Sequence, residues 1–384
     1  MARAIASNAL TVLVVLMLAA AGAFAWGRAQ YAGTGPLDDA ICVMVAPGAS
    51  MASVSQQLQE RGAISNATIF RLGAEYSDRA DKLKAGSFVV PAGASMDQII
   101  EAVTASGRST CGTEINYRIG VNSSNMLVRE LDPATQGYTE VASYDPGSDP
   151  TPGVMESVLA SPGTRFRVTL AEGVTSWQVV DALARASFLD GEIGQVPLEG
   201  TLAPDSYEVT PGASRSGLIA EMSDRQAGIL NDLWAARAPG LPVEDPQQAL
   251  TLASIVEKET AVPEERRRVA SVFVNRLRQG MRLQTDPTVI YGLTEGRGVL
   301  GRGLRQSELR RATPYNTYVV QGLPPTPIAN PGRASIEAAL NPEDSDYLYF
   351  VADGTGGHVF ATTLDEHNRN VQRWRAIEAQ RQGQ

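Results

Sequence analysis

A mixed α+β architecture behind an N-terminal membrane helix is predicted by three features of this 384-residue sequence. An uncharged, largely apolar run covers Ile5 to Gly27. A junction of extended residues, a glycine and then Ser or Thr leading into helical periodicity occurs four times. Between them, residues 41–107 read as strand, helix, helix, strand and helix.

Composition bounds the function. With 43% hydrophobic and 20% charged residues, the chain is globular, and disorder, collagen and coiled coil are excluded as whole-chain readings. Its length suggests two or three domains at roughly 100–200 residues each. A net charge of −9 disfavours the phosphate attraction on which nucleic-acid binding rests, so no nucleic-acid partner is expected. The histidines are His358 and His367 and the cysteines Cys42 and Cys111; a four-ligand structural zinc site would need all of them, and neither metal nor cofactor is expected. No G-x-S-x-G, no P-loop and no G-x-G-x-x-G following a strand is present. Carboxylate chemistry remains.

Arg3 precedes the apolar run, which ends at Trp26 and Arg28 and is long enough to cross a bilayer of ~30 Å. Ala23-Phe24-Ala25 fits a signal-peptide cleavage site. The continuation of the run into an interfacial Trp favours an uncleaved anchor, with residues 30–384 exported. An oxidising compartment would let Cys42 and Cys111 pair, and two separate thiols are the alternative.

The four junctions are VAPGASMASV (45–54), VPAGASMDQI (90–99), LAEGVTSWQV (170–179) and VTPGASRSGL (209–218). Gly48, Gly93, Gly173 and Gly212 permit the turn, and Ser50, Ser95, Thr175 and Ser214 are placed as N-caps. Gln98 and Gln178 complete capping boxes three residues later. Within 41–107 the pattern is strand Ile41–Val45, helix Met51–Arg61, helix Ala67–Glu75, strand Ser87–Val90 and helix Met96–Thr104, similar to a LysM-like glycan-binding module. Residues 108–164, rich in Pro, Gly, Ser and Asp around SYDPGSDPTPG, show weak periodicity and read as an insertion or linker with at most a little strand. Arg165 to Leu170 resumes as a strand, followed by a helix over Trp177–Ala186.

The chemical centre is TLASIVEKET, 251–260. On a helix, Leu252, Ile255 and Val256 form one apolar arc with Glu259 at its middle, while Glu257 and Lys258 project to either side. A carboxyl on such a stripe is desolvated, which raises its pKa and lets it donate a proton near neutral pH. The competing reading is a helix-end Glu paired with Arg266, Arg267 or Arg268. A second helix comes next, with Pro263 in the first turn, Glu264 and Glu265 at its positive end, Val269, Val272, Phe273 and Leu277 at core spacing, and Gly280 as stop. Its three consecutive arginines read as a solvated face. Polar clusters at Gln284, Thr285 and Asp286, and at Tyr315, Asn316 and Tyr318, adjoin Pro-rich loops that hold side chains at little entropy cost. Their donors and acceptors suit acetamido and hydroxyl groups. His358, in the GGHVF hairpin, has the donor and acceptor to touch substrate, but a hairpin histidine is more often structural, and Thr363 with Glu366 reads as a cap for the last helix.

LASIVEKET, VASVFVNRLRQGMRLQTDPTVIYG, TPYNTY, GLPPTPIANPG and YLYFVADGTGGHVFATTLDEHNRNV together resemble, in order, the signature blocks of the endolytic murein transglycosylase (YceG-like) family. The likeness covers 41–107 and 165–377. It implies a cytoplasmic N-terminus (1–8), a transmembrane helix (9–28), a linker (29–40), a LysM-like subdomain (41–107), the inserted segment (108–164) and a mixed α+β catalytic domain (165–384). The implied protein is single-pass in the inner membrane with its soluble part in the periplasm. It would cut nascent peptidoglycan strands at the β-1,4 bond between N-acetylmuramic acid and N-acetylglucosamine, leaving 1,6-anhydro ends and ending strand elongation. Peptidoglycan synthases are candidate partners. The family's essential glutamate falls on Glu259, the residue chosen by the helical wheel, and Gln284, Thr285, Asp286, Tyr315, Asn316 and Tyr318 become candidates for substrate binding. One carboxyl serves both steps of a lyase, and Glu257, about 200° away on the helix, is badly placed as its partner. A water-using muramidase and a non-catalytic wall anchor are the alternatives. The inserted segment looks longer than the family pattern, so its role stays open.

Overall fold

The computed structural model describes residues 2–105, 109–161 and 163–382. Its first helix, α1 (Ala2–Ala32), carries the apolar run, with Leu10, Leu13, Leu16, Phe24 and Trp26 all exposed as expected of a lipid-facing span. It extends past the predicted span into the residues read as linker.

Next come β1 (Ile41–Val45), α2 (Met51–Glu60), α3 (Ala67–Tyr76), β2 (Gly86–Val90) and α4 (Met96–Thr104), within a residue of the sequence reading. The two strands pair antiparallel, Ile41 against Val90 through Val45 against Gly86. Val43, Leu58, Phe70, Phe88, Ile99 and Ile100 close a core beneath them. Cys42 and Cys111 form a disulfide with their Cα atoms 5.7 Å apart.

The segment read as a linker is folded. It supplies β3 (Thr113–Ile119), β4 (Ser124–Leu131), β5 (Tyr138–Tyr144) and α5 (Val154–Ala160). Then come β6 (Arg165–Leu170), α6 (Ser176–Arg185), β7 (Leu189–Asp190), β8 (Ser206–Val209) and β9 (Ala213–Ser214). A five-stranded sheet has the order β5-β4-β3-β6-β8. Alternation is missing from β3 because Glu114 and Asn116 are buried in it, and Arg129 of β4 pairs with Glu114. A paired buried charge hides a strand from hydropathy.

The helical part comprises α7 (Arg215–Ala235), α8 (Pro246–Glu259), a 3₁₀ turn at Pro263–Glu265, α9 (Arg266–Arg278), α10 (Asp286–Thr294), α11 (Gln306–Arg310) and α12 (Arg333–Leu340). The antiparallel hairpin β10 (Tyr349–Ala352) and β11 (His358–Ala361) precedes α13 (Leu364–Gln382). Leu252, Ile255, Val256, Val269, Phe273, Ile336 and Leu340 form the core that holds α8, α9 and α12 together.

All four junctions turn through a left-handed glycine, with φ of 76° at Gly48, 65° at Gly93, 79° at Gly173 and 80° at Gly212. Ser50, Ser95, Thr175 and Ser214 each accept a backbone N–H from the first helical turn, and Gln98 and Gln178 close their capping boxes. The chain divides into two compact units. One holds the residues up to Asn116 with Leu127–Ser143 and Thr151–Phe166; the other holds Tyr117–Met126, Tyr144–Pro150 and everything from Arg167 on.

Candidate active site

Asp245 caps α8 by accepting from the backbone N–H of Gln248, Pro246 opens the helix, and every residue from Ala249 to Val256 is buried. The buried stripe carries Glu259 to the last helical position. Its neighbours fix that end. Glu257 Oε2 accepts from the Gly332 N–H at 3.0 Å, and Lys258 Nζ donates to the Gly173 carbonyl at 3.2 Å. These bonds tie α8 to the Gly173 turn and to the N-terminus of α12.

Glu259 forms no salt bridge among the described residues. The three arginines of α9 are engaged elsewhere, Arg266 with Glu172 at 3.4 Å, Arg267 with the Asn341 carbonyl and Arg268 with Glu343 at 3.2 Å. Arg266 and Arg268 are half-buried, so the run is a set of struts more than a solvated face.

What Glu259 does receive is the Thr285 hydroxyl, which donates to Oε1. Thr285 stands at the N-cap position of α10, yet its side chain caps nothing, because the hydroxyl is committed to the carboxylate. Desolvation pushes the Glu259 carboxyl above the ordinary range; the Thr285 hydrogen bond opposes this, the negative charge of Asp286 adds to it, and the positive charges of His358 and Arg276 oppose it. Glu259 remains partly open on one side, as a proton donor to a bound ligand must.

Asp286 is exposed and accepts from the Tyr318 hydroxyl at 2.6 Å. Burial and this hydrogen bond hold the Tyr318 phenol well above its usual pKa, so it stays a donor at any physiological pH. Gln284 adopts φ 51°, is exposed, and bonds through its N–H to the Thr317 carbonyl at 3.1 Å. Glu259, Thr285, Asp286 and Tyr318 thus form one linked cluster, with Gln284 at its rim.

Asn316 and Tyr315 serve differently. Asn316 is fully enclosed; its Nδ2 donates to the carbonyls of Glu308, Leu309 and Arg311, and its Oδ1 accepts from the Tyr318 N–H. It braces the loop that presents Tyr318. Tyr315 packs its ring 5.0 Å from Tyr291 and bonds to Thr326, with Gly292 leaving room for it.

Three further residues contribute: Thr317 and Arg276, which sequence reasoning missed, and His358, which it weighs as a substrate contact or a structural residue. Thr317 is fully buried and its hydroxyl accepts from the Thr285 N–H at 3.1 Å while bonding to Thr288, which zips the two loops together. Arg276 is 8% exposed and donates to the Leu283 and Leu348 carbonyls, both at 2.7 Å, placing a cation behind the site. His358 is gripped by Glu265, whose carboxylate takes its backbone N–H at 2.9 Å and meets Nδ1 at 2.7 Å. A Cβ on Gly357 would come within 2.7 Å of that carboxylate, so a larger residue there would push the Glu265 side chain off His358.

The sequence pattern of the YceG-like family matches residues 43–129 and 121–373. A Bacillus subtilis protein named endolytic murein transglycosylase is 29% identical over 334 residues, covering 86% of this chain and 84% of that protein. A protein of the same name from Streptococcus pneumoniae is 28% identical over 338 residues, and the match spans 58% of that longer chain. A crystal structure of a YceG-like protein from Listeria monocytogenes is 28% identical, with 86% of this chain and 99% of that one covered and a TM-score of 0.46.

Proposed function

The chain belongs to the YceG-like family, and from that membership we propose that it is an endolytic murein transglycosylase anchored by α1, with Glu259 as its acid and base. The observation that carries this reading is a desolvated carboxyl, free of any salt bridge among the described residues, taking a hydroxyl hydrogen bond at the end of a buried helix.

Glu259, protonated, would donate its proton to the glycosidic oxygen as the bond from muramyl C1 breaks. The muramyl C6 hydroxyl attacks C1, and the carboxylate just formed takes the C6 hydroxyl proton, which closes the 1,6-anhydro ring and restores the acid. No water enters. One group must therefore be a competent acid and then a competent base. Desolvation favours the first state; the Thr285 hydroxyl with the cation of Arg276 favours the second. Gln284, Asp286 and Tyr318 are the proposed sugar contacts, with Tyr315 and Asn316 holding the loop behind them.

The soluble part is assigned to the periplasm, on the outer side of the inner membrane. The Cys42–Cys111 disulfide supports an oxidising compartment. A second reading has one specific observation in its favour: Asp286 is exposed and directly follows Thr285, the residue that bonds to Glu259, where a second carboxylate could activate water.

Digestion of uncrosslinked glycan strands by the wild type and by Glu259→Gln, with products weighed by mass spectrometry, tests both readings. Anhydro-muramyl ends from the wild type alone are expected. Reducing ends would establish hydrolysis instead, and strands left intact by both would leave a glycan-binding anchor.

A further inference from the structure

The last turn of α1 does not lead into a flexible tether. Tyr31 donates its hydroxyl to Asp97 of α4 at 2.9 Å, and its ring lies so close over Gly73 of α3 that a Cβ there would come within 2.0 Å of it. Gln30 accepts from the Ser65 hydroxyl just before α3 at 2.8 Å. The chain beyond stays attached, with the Gly35 N–H on the Gly93 carbonyl and the Gly93 N–H on the Leu37 carbonyl. The span and the small α+β subdomain are therefore packed on each other within one unit.

Around α3, three sides have three neighbours. Gly73 meets Tyr31 of the span. Phe70 and Ala74, both fully buried, face the subdomain core about 60° and 100° to one side of Gly73. Leu72 and Tyr76 stand about 100° and 60° to the other side, about 40° apart, and are 59% and 92% exposed. The core cannot be immersed in lipid, so of the two flanks only the one opposite the core is free to meet the bilayer from which α1 emerges. The level also agrees. Trp26 and Arg28 mark the boundary of the hydrocarbon, and Tyr31 lies about 7.5 Å beyond Trp26 along the helix, at the outer edge of a headgroup layer of roughly 5–7.5 Å.

We infer that the Leu72–Tyr76 flank of α3 rests in the phospholipid headgroup region beside α1, so that the subdomain is seated on the membrane surface instead of swinging above it. The inference rests on α1 being a membrane span. Leu supplies the apolar contact, and Tyr, apolar in its ring and polar at its hydroxyl, suits the boundary layer. A seated subdomain would hold any glycan it binds close to the lipid surface, where new strands emerge under the proposed function.

The test is a spin label on one added cysteine in the full-length protein, reconstituted in nanodiscs of phosphatidylethanolamine and phosphatidylglycerol. Labels replace Leu16 in the span, Leu72, Tyr76, or the exposed Ala52 of α2. Accessibility to oxygen and to a water-soluble nickel chelate is read at each. Labels at Leu72 and Tyr76 are expected to collide with the chelate several-fold less than the label at Ala52, at a depth shallower than Leu16. Chelate access at both positions equal to that at Ala52, with Leu16 shielded, would overturn the seating and leave the anchor intact. Chelate access at Leu16 as well would overturn the anchor and the seating together.

Discussion

The hydroxyl of Thr285 donates to Oε1 of Glu259, joining the N-terminus of α10 to the C-terminus of α8 across 26 residues of sequence. A carboxylate at the C-terminal end of a helix is electrostatically disfavoured, whereas one beside the N-terminus of another helix is favoured. This hydrogen bond brings the second influence to bear on a group burdened by the first, and by desolvation.

Replacing Thr285 with Val removes the donor to the ionised form, so the pKa of Glu259 rises further. The acid half of the reaction weakens, because the carboxylate left after proton donation has lost its stabilising donor. The expected result is a drop in kcat of ~10-fold, in line with a hydrogen bond to a charged group of ~1.5 kcal/mol, and a basic limb of the pH–rate profile moved to higher pH. Thr285→Ser, which keeps the hydroxyl, should restore most of both.

Asp286 acts in the opposite sense. Its charge raises the pKa of Glu259, so Asp286→Asn should move the basic limb to lower pH. A pH–rate profile of this variant beside Thr285→Val should show limbs displaced in opposite directions. Displacement the same way would remove Asp286 from the electrostatics of the site.

Stability should depend on Glu259 as well. A folded-state pKa raised above the unfolded value gives a contribution that is fully present below the ordinary carboxyl range and is lost as pH rises through the folded pKa. Above the ordinary carboxyl range burying Glu259 therefore costs stability, and near neutral pH Glu259→Gln should melt at a higher temperature than the wild type, by ~2–4 °C for each 1 kcal/mol relieved. The gap should close below pH 4. Calorimetry of both proteins across pH 3–8 reads it.

Asn316 is predicted to matter without touching substrate. Asn316→Ala leaves the Glu308, Leu309 and Arg311 carbonyls without their donor, costing ~1–3 kcal/mol, and loosens the loop bearing Thr317 and Tyr318. Lower thermal stability with a fall in kcat is expected. An unchanged melting temperature with a raised KM would instead make Asn316 a sugar contact.

Much of the molecule is legible locally. The four junctions can be read because a left-handed glycine and an N-cap two residues later act within one turn of chain, and the capping boxes of Ser95 and Thr175 form as their spacing predicts. Glu259 is visible because a carboxylate on an apolar arc needs only helical periodicity to be seen. His358 reads as structural from its hairpin alone, and its clasp by Glu265, 93 residues away, has no local signal.

The sequence by itself determined the apolar span, the elements of the small subdomain and the position of Glu259, all of which depend on neighbours within one or two turns. Tertiary structure alone decided that 108–164 supplies three strands, because the buried Glu114 that breaks their pattern is satisfied by Arg129 on another strand. It also decided that Asn316 faces inward while Tyr318, two residues on, reaches Asp286. Residues 30–31, read as linker, became the joint between span and subdomain through Gly73 and Asp97. In each case a polar or small side chain takes its role from a partner far away in sequence, and a hydrogen bond or a close approach of that kind has no periodicity by which to be read.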